Sequence, residues 1–414
     1  MSFYTSLTGL KAATTELSVT SNNIANSGTT SFKRSAAQFG DIFSTSTLQR
    51  AASGIGSGVA LLGVSQQFTQ GNIQSSENAL DLAITGDGFF PLKAPDGAEL
   101  FTRNGSFKLD DQNILVNNEG QALQVHPLDE NGESNFIAAT IGLKVQPDVA
   151  AEASTKIDQN LRFPLDGLVV AGPINTADTA TYSAAQTFSI FDDDGTPYAA
   201  TVYYRKTGND VDDGTGNIQD TFEAKIFVGD ALLESDTVTF AFNSGTGALE
   251  TTPAPSMTIP AAAAESRSNP VTLSLTALGH SKDFEVISQS ADGRTKGGLV
   301  NIDIGNDGLV TTTYSNGQQL QTGIINLASF GSSEGLRQDG ATNYSATLAS
   351  GLAEYARAGS TGIGTIRSGA LERSNVDLTS ELIDLISAQR NFQANAKAIE
   401  TSSTLTSTII NMRG

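Results

Sequence analysis

Between Val376 and Met412 the chain contains neither glycine nor proline. Stepping by four and three from Leu378 gives Leu382, Leu385, Gln389, Phe392, Ala396, Ile399, Ser403, Thr406 and Ile410. That heptad is apolar except at Gln389, Ser403 and Thr406, and it predicts one long helix with a coiled-coil-like seam, widened by Ile386 and Ile409. Asp377, after Ser374 and Asn375, is the residue type that starts a helix. The other end of the chain repeats the pattern. Phe3, Leu7, Leu10, Thr14, Leu17, Ser21 and Ile24 keep the same stepping, and Asn26-Ser27-Gly28 supplies a stop. Neither helix carries the run of Glu and Lys that would stabilise it alone, and isolated helices of this length are marginal in water. Each needs a partner, in the other helix or in another copy of the chain.

Between these ends the apolar period shortens to two. Residues 72–145 read as short strands with explicit turns, at Gly86-Asp87-Gly88, Asp96-Gly97 and Asn104-Gly105, the last being the strongest short hairpin signal. Residues 146–289 form a different block of antiparallel strands with polar loops. Residues 290–360 return to tight hairpins, at Asp307-Gly308 and Asn316-Gly317. Residues 29–71 and 361–375 are Gly/Ser-rich and read as connectors, the first extended with short strands. The expected fold class is mainly β with α-helical termini. An inner discontinuous β domain (72–145 and 290–360) carries an inserted outer β domain (146–289). It is flanked by coiled-coil-like helices at 1–28 and 376–414.

Composition narrows the function classes. In 414 residues only 38% are hydrophobic and 41 are glycine, which favours many turns and modest cores. There is no cysteine, so neither disulfides nor thiol chemistry enter. The net charge of −20 is concentrated in the middle of the chain. Residues 1–50 hold four basic side chains against two acidic, and 376–414 hold three against four. Near-neutral ends suit close packing of many copies, and an acidic surface argues against nucleic acid. No apolar run approaches the roughly 18 residues a membrane span needs, and no secretory leader is legible, so membrane insertion is not expected.

Catalytic readings are weak. The histidines are His126 and His280, with no G-x-S-x-G elbow beside either, and both read as surface-loop residues. Asp192-Asp193-Asp194-Gly195 and 210–214 lack the distal acid of a calcium loop and read as turns whose Asp caps its own backbone. Gly54, Gly56 and Gly58 have no Lys-Ser/Thr after them and no strand before them, so they read as connector. No catalytic residue, metal ligand or cofactor is expected, and the chain is not read as an enzyme.

The stretches SNNIANSGTTSFKRS, GNIQSSENALDLAITGDGFF, TRNGSFKLD and GTIRSGALERSNVDLTSELIDLISAQRNFQANAKAIETSSTLTSTIIN occur in that order. Together they resemble the signatures of the flagellar rod, hook and hook-associated family. Ser21, Asn22, Asn23, Ile24, Ala25 and Asn26 form the core of the first signature. The length and the block containing TFSIFDDDGTPYAATVYYRKTG resemble the hook branch rather than the shorter rod branch. The resemblance implies a structural subunit that polymerises helically into a flexible tubular joint transmitting torque. It would be exported without a cleaved signal peptide to the extracellular hook. Implied partners are other copies of the chain, the export apparatus, and the distal rod, hook-cap and hook–filament junction proteins. The assembly residues it implies are Leu7, Leu10, Leu17 and Ile24 at one end. At the other they are Leu378, Leu382, Leu385, Phe392, Ile399 and Ile410. The competing readings are a distal rod subunit and a secreted, monomeric acidic β-protein whose end helices simply pair.

Overall fold

The computed structural model describes residues 2–42, 56–128, 140–212, 214, 217–228, 233–234, 237–251, 254–259 and 270–411. Gly54 of the first connector lies outside them, as do the side chains of His280, Ile409 and Ile410. Two helices at the chain ends enclose strands almost throughout, the expected fold class. The chain forms two compact units. The first holds Met1–Gln146, Asn301–Thr313 and Gln319–Gly414, and the second holds Pro147–Val300 and Tyr314–Gln318.

In the first unit helix α1 spans Ser2–Ala25 and helix α2 spans Leu378–Asn411. Strands β1 (Ser35–Asp41) and β2 (Val59–Gln66) pair antiparallel in a two-stranded ribbon that leans on α1. An eight-stranded sheet runs from Arg337–Gly340 through Asn343–Ser345, Glu99–Thr102, Phe90–Lys93, Ala122–Val125 and Leu115–Val116 to Lys108–Leu109, with Ile141–Gly142 beside Ala122–Val125. Edge-to-face rings hold its core together: Phe68 meets Phe89 at 5.4 Å and Tyr344 at 5.2 Å, and Phe101 meets Phe330 at 4.8 Å.

Two expected turns behave as their chemistry requires. Gly97 and Gly308 both take positive φ, at 89° and 85°, where a Cβ would be strained. Asn104-Gly105 is not a hairpin. The strand before it pairs with Phe90–Lys93 and Asn343–Ser345, not with the strand that follows. Glycine is needed there for another reason: its carbonyl accepts the Leu82 N–H at 2.8 Å, and a Cβ would lie 1.8 Å from the Leu82 oxygen. The stretch 361–375, read as a connector, is also structured. Thr365–Ser368 pairs with Leu82–Thr85, and Ala370–Glu372 pairs with Ile73–Ser75. Ile366, Ala370 and Glu372 are fully buried, so burial rather than composition decides this segment.

His126 is buried too, at 4% exposure, and not on a surface loop. Its Nδ1 lies 2.9 Å from Asn326 Nδ2, and its ring stands edge-on to Tyr355 at 5.5 Å. Burial holds its pKa below the ordinary value of 6.5, so the folded chain keeps it neutral. The unfolded chain then binds more protons once the pH falls through 6.5, and this contribution to stability declines from there down to the folded pKa. Denaturant melts at stepped pH should show the wild type losing stability below about pH 6.5 faster than His126→Gln does. Parallel curves for the two proteins would remove His126 from that role.

The second unit is built on two sheets that share one core. One has the order Ser256–Ile259, Val271–Ser281, Lys156–Pro164, Glu285–Ala291. The other joins Ala184–Phe191, Pro197–Asp212, Ile218–Val228 and Leu233–Glu234, with Val238–Asn243 also on Ile218–Val228. Alternate residues Ile157, Leu161 and Phe163 of the first sheet, and Val202, Tyr204, Phe222 and Phe240 of the second, meet in that core. The pattern of this block predicts antiparallel strands, yet Lys156–Pro164 and Val271–Ser281 run parallel. Over a hundred residues intervene, room for a crossover that hairpin signals alone do not reveal. At 192–195 the turn reading is what the structure contains. Asp192 Oδ1 accepts the N–H groups of Asp194 at 3.0 Å and Thr196 at 2.6 Å, and Gly195 takes φ 79°.

Candidate functional site: the helix pair and the polar junction at its base

Helices α1 and α2 lie against each other and run antiparallel. A Cβ on Gly9 would come within 2.6 Å of Asn395 Oδ1, and fourteen residues along α1 Asn23 Nδ2 donates to Glu381 Oε2 at 3.2 Å. The two contacts fix one register. It runs the start of α1 out opposite residue 402, so 403–411 of α2 extend beyond it.

The face that joins the helices is made of small and polar residues. On α1 the buried positions are Ala13, Thr20 and Asn23, with Gly9 on the same stripe. On α2 Glu381 is 1% exposed and Ala388 is fully buried, while Leu385, Asn395, Ala396, Ile399 and Ser402 are half-buried. Small residues let two helices approach closely, which large apolar side chains do not. The expected interface residues therefore divide. Leu7, Leu10, Leu17 and Ile24 are half-buried, as are Leu385 and Ile399. Leu378, Leu382 and Phe392 are exposed at 49%, 49% and 37%, and Ile383 and Ile386 join them at 60% and 49%. The large-residue heptad thus marks a face that the chain itself leaves open along the first turns of α2.

Hydroxyl groups on both helices are internally satisfied. Thr14, Thr15 and Ser18 on α1, and Thr401, Thr404, Thr406 and Thr408 on α2, each donate to the carbonyl four residues earlier at 2.8–3.1 Å. They leave their methyl and methylene groups to line the surface.

At the base of the pair sits a polar junction, the part sequence reasoning missed. Asn23 is the pivot of the family motif. Its Oδ1 accepts the Ser35 N–H at 2.9 Å, and its Nδ2 donates to the Ser35 carbonyl at 2.9 Å as well as to Glu381. Glu381 also pairs with Arg34, whose Nη2 reaches Asp384 at 3.2 Å. Asn375 accepts the Arg34 N–H at 2.7 Å and donates to the Gln67 and Thr69 carbonyls. Helix α1, the β1–β2 ribbon and the first turn of α2 are joined here by charge-assisted bonds. Asp377 caps α2 by accepting the Ser380 N–H at 2.8 Å, a bond that holds its carboxyl below the usual range. The rest of the motif is peripheral: Ser21, Asn22 and Ala25 are exposed, and Asn26 donates back to the Asn22 carbonyl at 3.0 Å.

A second, fully buried cluster lies next in sequence. Lys33 Nζ donates to Glu372 Oε1 at 2.8 Å and to the Thr69 carbonyl at 2.8 Å, with both side chains at 0% exposure. Glu372 Oε1 also accepts the Gly71 N–H at 2.7 Å, and Arg103 Nη1 stands 3.8 Å from Oε2. Arg103 is itself fixed by the Gly86 and Gly88 carbonyls. Burial pulls the Lys33 ammonium below the usual lysine range, against the pull of Glu372 and with the help of Arg103. Ser31 closes the cluster. The left-handed residue of this turn is Ser31, at φ 55°, and not Gly28. It is held by its N–H to the Glu372 carbonyl at 2.9 Å and its hydroxyl to the Arg103 carbonyl at 2.8 Å. The signals in the sequence were Lys33-Arg34 inside an otherwise uncharged stretch and Glu372 in a Gly/Ser context. Neither names its partner.

The chain matches four family models. They are "Flagella basal body rod protein" over residues 3–33, "Flagellar hook protein FlgE/F/G D1 domain" over 83–196, "Flagellar basal body protein FlaE D2 domain" over 156–341, and "Flagellar basal body rod FlgEFG protein C-terminal" over 367–412. It is 33% identical over 420 residues to the flagellar hook protein FlgE of Escherichia coli, across the whole of both chains. It is 28% identical over 469 residues to that of Treponema pallidum, across all of this chain and 99% of the other. The crystal structure of Helicobacter pylori flagellar hook protein FlgE2 has a similar fold, with a TM-score of 0.53 at 14% identity. The match covers 72% of this chain and all of that one.

Proposed function

The chain belongs to the flagellar hook protein family, and from that premise we propose that its terminal helices form the inner wall of a helical tube of identical subunits. It is a structural subunit of the flagellar hook. One observation carries the assembly reading. Leu378, Leu382, Ile383 and Ile386 form an exposed apolar stripe on α2, although each chain already supplies one partner helix. A second copy seated on this stripe meets a different surface from the one it presents, so the contact does not close and the array grows as a helix. Division of labour by radius follows: paired helices at the wall transmit torque, and the β units outside slide as the tube bends. Distal rod, hook cap and hook–filament junction proteins would occupy the two ends of such a tube. Export without a cleaved leader completes the reading. Among the described residues no helix is long and apolar enough to cross a membrane.

Leu382→Asp tests it. The side chain is half exposed in the single chain, so the thermal melt should stay within about 2 °C of wild type. Burial of an unpaired carboxylate between copies costs about 3 kcal/mol, which raises the critical concentration for tubes roughly a hundredfold. Sedimentation and negative-stain microscopy read both effects. Tubes that form at the wild-type concentration would refute the stripe as a contact.

A further inference from the structure

Residues 346–352 of the first unit form a tip that carries two leucines. Leu348 is 105% exposed and Leu352 88%. The tip is nonetheless well fixed. Thr347 Oγ1 donates to the Gly335 carbonyl at 2.5 Å, Ser350 Oγ donates to the Thr347 carbonyl at 2.9 Å, and the Ser332 N–H donates to the Ser350 carbonyl at 3.2 Å. Ser350 is buried. A Cβ on Gly335 would lie 2.5 Å from the Ala349 and Ser350 backbone, so glycine alone lets the neighbouring turn brace the tip. A braced loop that holds two leucines in water is built to be covered, because its ordering entropy is spent before contact.

The same unit contains an open apolar groove. It is bounded by Thr8, Ala12 and Thr15 of α1 and by Val59 and Leu61 of β2, with a volume of about 330 Å³ and Lys11 on its rim. We propose that the Leu348–Leu352 tip of one copy seats in the α1–β2 groove of a neighbouring copy. This rests on the polymer reading above. The groove has the volume for both leucine side chains. Charge agrees in sign: Glu334 is exposed beside the tip, Lys11 is exposed on the rim, and neither makes an ion pair among the described residues. Tip and groove are different surfaces of one chain, so the contact is heterologous and repeats without closing. It is separate from the α2 stripe and gives each copy a second hold on its neighbour.

The native chain has no cysteine, which makes cross-linking clean. Leu348→Cys and Ala12→Cys are prepared as separate full-length proteins, polymerised alone and as an equal mixture, then oxidised. A covalent dimer that appears in the mixed tubes, and not in either single-variant tube, is the expected result. Mixed tubes with no more dimer than the single-variant tubes would overturn the proposal and leave the polymer reading intact. A wild-type chain that forms no tubes would remove both. A second measurement needs no cross-link: Leu348→Ser with Leu352→Ser should keep the thermal melt and raise the critical concentration at least about tenfold. An unchanged critical concentration would also overturn the proposal.

Discussion

Replacing Glu372 with alanine lowers the stability of the first unit by about 3–5 kcal/mol, because it leaves the buried Lys33 ammonium without its carboxylate and removes the anion 3.8 Å from the buried Arg103 guanidinium. Both partners are fully buried at 2.8 Å, so water cannot take over the role. The Gly71 N–H loses its acceptor in the same step. Guanidinium melts followed by far-UV circular dichroism measure this directly. The double variant Lys33→Met with Glu372→Leu should recover only the part of the loss that comes from the unpaired ammonium, because the Gly71 N–H and the buried Arg103 still lack the carboxylate. A single-variant loss under about 1 kcal/mol would mean that the pair is solvated in solution and that the cluster is not a brace.

Phe163→Ala has an effect of similar size in the second unit. The ring is 1% exposed and meets Tyr204 at 5.2 Å, Phe222 at 5.1 Å, Phe240 at 5.4 Å and Phe284 at 5.4 Å. Its removal costs about 3–5 kcal/mol in transfer and cavity terms. Both helices belong to the first unit. The expected melt therefore has two steps: β signal is lost early in the variant, while the helical signal at 222 nm keeps its wild-type midpoint. One cooperative transition for both signals would refute independent unfolding of the units.

What the sequence disclosed depends on the range of the interaction behind it. The two helices were legible because a heptad of large apolar residues and an Asp at the first turn are local signals. The turns at Gly97 and Gly308 were legible for the same reason. The heptad positions divide in the structure: Leu385 and Ile399 are half-buried while Leu378 and Leu382 are exposed, and the buried positions of the helices include Ala13, Thr20, Asn23, Glu381 and Ala388, which carry no signal in a hydrophobicity pattern. The buried ion cluster was illegible because Lys33 and Glu372 lie 339 residues apart, and a charged pair carries no periodicity. Asn104-Gly105 shows that one dipeptide serves two purposes. Its glycine is required for close approach to Leu82, and the hairpin propensity of the pair goes unused. The parallel pairing of Lys156–Pro164 and Val271–Ser281 was hidden for a related reason: strand direction is set by the crossover, which no short window contains.

The antiparallel register of α1 and α2 has a consequence in time as well as in space. Asn23 and Glu381 are separated by 358 residues, so closing that contact carries the loop-closure entropy of nearly the whole polypeptide. Until the segment around Glu381 has been made, α1 has no internal partner, and a lone helix of its length is only marginally formed. The second unit can fold on contacts within residues 147–318, whereas the helix pair closes together with equally distant strand pairs of the first unit, such as Ile73–Ser75 with Ala370–Glu372. A chain stopped anywhere before Glu381 therefore leaves the first helix without its partner helix, and with it the α2 stripe unmade beyond Leu378.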